Sequence, residues 1–201
     1  MPMDYWSEFR LEMFGEPYLV WHEGADFAAI LRRYRSDPAE VAAQLSAGLA
    51  MGDNVAAQAM GEIGDVRFVP ELRRAFETQP GDVCVSAALA YLRITGDQWA
   101  STAVCAVLAG DPSEFVRSTA ARALRKFAAT SALIDAAAAG VRDPDYLVRF
   151  HSADSLLAFA GKAPDISSNK LLFSRLTSDA APASWSSASD ELAKAARAKL
   201  R

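Results

Sequence analysis

Asp111-Pro112-Ser113-Glu114-Phe115-Val116-Arg117 returns 32 residues later as Asp143-Pro144-Asp145-Tyr146-Leu147-Val148-Arg149. The match continues at that offset: Ala121 with Ala153, Leu124 with Leu156, Phe127 with Phe159. A period of this size with helical patterning marks stacked helical hairpins, which bury their apolar faces only against one another. Working outward, four leading helices share one pattern. Their first apolar residues are Val55, Cys84, Val116 and Val148, at steps of 29, 32 and 32. Five residues further stand Met60, Leu89, Ala121 and Ala153, and eight further Ile63, Leu92, Leu124 and Leu156. These positions share a helical face, so each leading helix is expected to bury the same stripe. Gly52-Asp53, Gly81-Asp82, Asp111-Pro112 and Asp143-Pro144 precede the stripes. Glycine ends one helix, and aspartate ahead of proline caps the next and presets its first turn. Second helices are expected over about 67–79, 97–110, 130–142 and 166–178.

The rest of the chain frames this array. Asp37-Pro38-Ala39-Glu40 reads as an N-cap, a proline at the first helical position and a glutamate at the third, opening a helix to about Met51. Before it, Phe27, Ile30, Leu31 and Tyr34 have helical spacing. Tyr5, Trp6, Phe9, Phe14, Tyr18 and Trp21 make the N-terminus aromatic. After Ser178 comes a stretch rich in small residues, 179–189, read as a linker, then a closing helix from Asp190 to Lys199. The expected organisation is N-terminal capping helices over 1–37, the repeat array over 38–178, and a linker with a C-terminal helix over 179–201.

Composition agrees with an all-α fold. Hydrophobic residues are 51% of the 201 and charged residues 23%, which supports a sizeable core. Much of the apolar share is alanine, the best helix former. The formal net charge of −4 disfavours a nucleic-acid binder, which needs a basic face to neutralise phosphates. It disfavours a polybasic membrane-surface protein too. No secretory pattern stands at the N-terminus and no uncharged run reaches transmembrane length, so a cytoplasmic, reducing location is expected. Cys84 and Cys105 fall in apolar helical patterns and read as small buried hydrophobes.

The unit Asp-Pro-x-x-x-Val-Arg-x-x-Ala-Ala-x-Ala-Leu, carried by residues 111–124, resembles the HEAT-like repeat. It is similar to the short bacterial version in phycobilisome-lyase-type proteins. The copy at 143 departs at His151 and Ser152; the copies at 52 and 81 lack the proline and carry Val55-Ala56 and Cys84-Val85 in place of Val-Arg. The resemblance covers roughly 38–178. It implies a right-handed α-solenoid of about four to five HEAT-like hairpins, with Asp111, Arg117, Asp143 and Arg149 stitching neighbouring repeats by hydrogen bonds. It also implies that second helices line the concave face. Their polar residues Arg67, Glu71 and Arg74, then Gln98, Ser101 and Thr102, and finally Asp135, are therefore the partner-binding candidates. Members of this family include scaffolds, chaperones, inhibitors, chromophore lyases and a DNA glycosylase group.

No catalytic constellation stands out. There is no Gly-x-Ser-x-Gly elbow, P-loop or dinucleotide fingerprint, and no metal-ligand spacing. No cofactor is expected. His151 reads either as a pH-sensitive or catalytic group or as a partly exposed helix residue. Trp6 and Trp21 read either as a cap on the open end of the array or as partner anchors. Trp185 either pins the last helix back or meets a partner, and it joins the binding candidates. The expected function is non-enzymatic: a monomeric or heterodimeric module that holds another protein, such as a toxin or enzyme, as an inhibitor, immunity protein or chaperone-like adaptor. The alternative is a lyase-like or isomerase-like enzyme using His151 or a cysteine.

Overall fold

The computed structural model describes residues 5–177 and 182–200, apart from the Trp21 side chain. Among these residues there are thirteen α-helices, three short 3-10 turns and no strand. The helices are α1 (Tyr5–Phe14), α2 (Pro17–Glu23), α3 (Ala28–Ser36), α4 (Pro38–Ala50), α5 (Asn54–Ile63), α6 (Val69–Thr78), α7 (Gly81–Thr95), α8 (Ser101–Gly110), α9 (Glu114–Leu124), α10 (Ser131–Gly140), α11 (Tyr146–Phe159), α12 (Lys170–Thr177) and α13 (Pro182–Lys199). No helix among the described residues is long and apolar enough to cross a membrane.

The leading helices α5, α7, α9 and α11 form one row, each packed on the next, with α6, α8 and α10 beside them. Small residues set the spacing in the first row. A Cβ on Gly61 of α5 would lie 2.9 Å from the Ala90 Cβ of α7, so these helices touch at almost backbone distance. Further along, Ser155 donates a hydrogen bond from Oγ to the Ala121 carbonyl at 2.7 Å, tying α11 to α9.

Helix starts obey local rules, with one displacement. Asp37 caps α4 by accepting from the Glu40 amide at 3.0 Å, with Pro38 in the first turn. Asp53 caps α5 and accepts from the Val55 amide at 2.9 Å. Asp111 and Asp143, however, are not the caps of α9 and α11. Each accepts from the amide two residues on, Ser113 at 2.9 Å and Asp145 at 2.8 Å, and the helix begins after that turn. The cap of α11 is Asp145, which accepts from the amides of Leu147 and Val148. Proline's fixed φ and missing N–H suit the turn as well as they suit a first helical position.

The charges that recur at offset 32 in the sequence bridge successive segments of the chain. Arg117 donates from Nε and Nη2 to both Asp143 carboxylate oxygens, at 2.8 and 3.0 Å. Its Nη1 donates to the carbonyls of Asp111 and Pro112. One repeat further, Arg149 uses Nη1 on the carbonyls of Asp143 and Pro144. Its Nε donates to the Leu176 carbonyl of α12 at 2.9 Å.

Both ends are covered by tryptophan. At one end Trp6, Phe9 and Phe14 are buried, and Trp6 Nε1 donates to Asp53 Oδ2 at 3.1 Å. Arg10 Nε donates to the same oxygen at 2.6 Å. At the other end Trp185 lies over the Arg149 guanidinium, 4.0 Å from the ring centroid. Residues 179–181 of the expected linker lie outside the described residues. The remainder is no linker: α13 is continuous from Pro182 to Lys199. It buries Trp185, Ala188, Ser189, Leu192, Ala193 and Ala196 where it packs across α10, α11 and α12. The small residues that suggested a flexible stretch let α13 lie close, and Ser189 Oγ donates to the Ala138 carbonyl at 2.7 Å.

Candidate functional site

A groove of about 660 Å³ crosses the row of leading helices. Its apolar lining includes Val85, Leu89, Ala90 and Leu92 of α7, Ala123 of α9, and Phe27. The repeat pattern assigned Leu89 and Leu92 to the core; both pack against it but are only half-buried. Four cations line the same groove: Arg93 on α7, Arg122 on α9, and Arg125 and Lys126 just beyond it. Glu62 is the single carboxylate among the lining residues.

These charges differ in what they are tied to. Arg93 pairs with Glu62 across α5 and α7. Arg125 Nη1 lies 3.4 Å from Asp154 Oδ2 on α11. Burial pushes the Asp154 carboxyl up, opposed by the Ile166 amide that donates to Oδ1 at 2.8 Å and by Arg125. Arg122 and Lys126 are exposed and enter no ion pair among the described residues. A protein of formal charge −4 thus gathers four cations and one carboxylate around this groove. Low-dielectric walls focus such a field, so the groove attracts anionic groups.

His151 stands near this cluster. Its Nδ1 is buried without a hydrogen-bond partner. Burial holds the imidazole below its ordinary value, and Arg122 and Arg125 push the same way. The ring is therefore neutral near pH 7, and it packs edge-on against Phe150 at 5.3 Å. The thiols are not activated either. Burial pushes Cys84 up to about 11, and its Sγ donates to the Phe76 carbonyl. Cys105 is raised by burial too. Nucleophilic thiols need the opposite environment.

The second-helix candidates do not converge on this groove. Arg67 folds onto Asp65 at 2.8 Å and also donates to the Tyr34 hydroxyl. That pairing, first through Arg67 and then Tyr34, holds the Asp65 carboxyl well below the usual carboxylate range. Glu71 accepts from Ser46 of α4 at 2.7 Å, and Arg74 is exposed on α6. Gln98 accepts from the Ala128 amide at 2.7 Å, and Thr102 donates to the Trp99 carbonyl. Ser101 opens α8, and Asp135 of α10 pairs with Arg197 of α13 at 2.5 Å. Thr102 lines a second groove, of about 540 Å³, with Phe76, Trp99 and Pro112. Trp185, on α13, is only 8% exposed and lies over the Arg149 guanidinium. Trp6 likewise belongs to the buried N-terminal cover.

One signal for the groove stood in the repeat register. Arg93 and Arg125 both lie nine residues past their leading-helix anchors, at the same offset of 32. No family model, curated protein or solved structure matches the chain.

Proposed function

We propose that the chain is a HEAT-like α-solenoid of four to five hairpins that binds another protein and catalyses no reaction. The observation that carries this reading is the leading-helix groove, which joins an apolar floor to a cationic edge in one continuous surface. Interfaces combine a desolvated apolar centre with a polar rim, and arginine is enriched among the residues that dominate binding. Supporting it, the arginines and aspartates of the repeat are consumed in holding repeats together, and the two thiols sit where burial suppresses the thiolate. The second of these observations weighs against the lyase-like alternative. An inhibitor, immunity protein or adaptor is the functional class such a surface serves.

A photo-crosslinking residue placed at Leu89 tests this in native lysate, with Arg74 on α6 as the control position. Capture of a discrete protein from position 89 and none from position 74 is expected. Crosslinking from neither position, or equally from both, defeats the reading.

A further inference from the structure

Resting on that protein-binding reading, we propose that the occupant of the leading-helix groove is an acidic amphipathic helix of the partner. Its apolar stripe would lie on the half-buried Leu89 and Leu92, and its carboxylates would meet Arg122, Lys126, Arg93 and Arg125.

Charge complementarity fixes the sign. Two of the four cations already have carboxylate partners inside the chain, Arg93 with Glu62 and Arg125 with Asp154. Arg122 and Lys126 are exposed and unpaired among the described residues, and both line the groove. They stand four residues apart at the C-terminal end of α9, where cations also meet the negative end of the helix dipole. An arginine and a lysine so placed are suited to carboxylates on successive turns of a docked helix.

The floor fixes the class of macromolecule. Nucleic-acid surfaces track phosphates with repeated cations and stack bases on exposed aromatic rings. Here the floor is aliphatic, and the one aromatic residue lining it, Phe27, packs edge-on against Phe14 at 5.9 Å. Aliphatic side chains flanked by charge are the recognition pattern of an amphipathic helix in a groove. Length is consistent too. Neighbouring helices pack roughly 8–10 Å apart, so three of them, α5, α7 and α9, span roughly 20 Å between outer axes, covered by about four turns of helix.

The test uses the full-length protein and fluorescein-labelled helical peptides of about 18 residues. All carry one leucine–alanine stripe, flanked by glutamate, glutamine or lysine, and a labelled duplex oligonucleotide serves as a further probe. Anisotropy should rank the peptides glutamate, then glutamine, then lysine, with the glutamate peptide weakening as salt rises. The double variant R122E/K126E should weaken the glutamate peptide at least about tenfold and improve the lysine peptide. The variant R74E on α6 should change neither. Because R122E/K126E changes only exposed side chains, an unaltered circular dichroism melt keeps the comparison valid; should it melt early, the milder R122Q/K126Q replaces it. Equal binding of the three peptides, no binding of any, or preference for the oligonucleotide overturns the proposal. If the peptides fail while the Leu89 crosslink still captures a protein, the acidic helix is wrong and protein binding stands. If both fail, both fall.

Discussion

At the scale of single residues, two side chains carry more than their share of the architecture. Asp53 is an N-cap through Oδ1 and the acceptor for both Trp6 and Arg10 through Oδ2. Asp53→Ala removes the cap, worth about 1 kcal/mol, and strands the indole N–H in a buried position, worth about 1–3 kcal/mol more. Asp53→Asn keeps a capping oxygen but sets an amide NH2 against the indole and Arg10, so it should recover only the cap, about 1 kcal/mol of that loss. Urea denaturation of both variants checks the order, and equal losses would show that the cap contributes nothing. Arg149 is fully buried, holds three carbonyls from two directions and lies beneath Trp185. Its truncation to alanine leaves those acceptors unsatisfied and opens a void, a loss of about 3–5 kcal/mol. The same change should alter Trp185 fluorescence before global unfolding, which a general loss of stability would not. His151 predicts a pH dependence with a definite sign. Its imidazole is held below 6.5 in the folded chain, so the unfolded chain takes the proton first. The stabilisation it contributes is complete above pH 6.5 and lost as pH falls through the lower, folded value. Asp154 and Asp82, both raised by burial, act oppositely: each favours the fold more as pH falls toward 3.8. Melting temperature should therefore drop from pH 7 to 5.5 in the native protein and drop less in His151→Gln. Parallel curves would remove His151 as the cause.

Among the elements, the periodic ones were the most legible. The second helices expected at 67–79, 97–110, 130–142 and 166–178 appear as α6, α8, α10 and α12, three of them entered through a short 3-10 turn. Capping chemistry and apolar spacing are local, so sequence carries them. The start of α13 was not legible, because the stretch 182–189 is helical for a tertiary reason: Trp185, Ala188 and Ser189 are buried only where α10 and α11 are already in place. Small residues are ambiguous alone, suiting a flexible linker and a tightly packed helix equally. Groove residues escaped for a related reason. Leu89 and Leu92 have the spacing of core residues, and nothing in the pattern shows that they are only half-covered. The α5–α7 contact makes its own prediction. Gly61→Val must push against Ala90, whose backbone lies 3.0 Å from even an alanine Cβ at that site. Overpacking of this kind costs about 1–3 kcal/mol, and denaturant titration reads it directly. An unchanged midpoint would mean that α5 and α7 can slide apart freely.

For the molecule as a whole, the repeat divides labour between its charges. Those at the turns, Arg117, Asp143 and Arg149, are engaged in bonds within the chain. Those at the groove, Arg122 and Lys126, stay in solvent. The formal charge of −4 therefore says little about the surface a partner would meet. The closeness of the leading helices has a last consequence. Gly61, Ala90 and Ala123, where the groove crosses from helix to helix, have no side-chain torsions to freeze. Ordering a flexible side chain at an interface costs about 0.5–1.5 kcal/mol, and that part of the floor incurs none of it. The groove is in this sense a mould rather than a glove. A guest docked there, as proposed, would meet that part of the floor already fixed in shape.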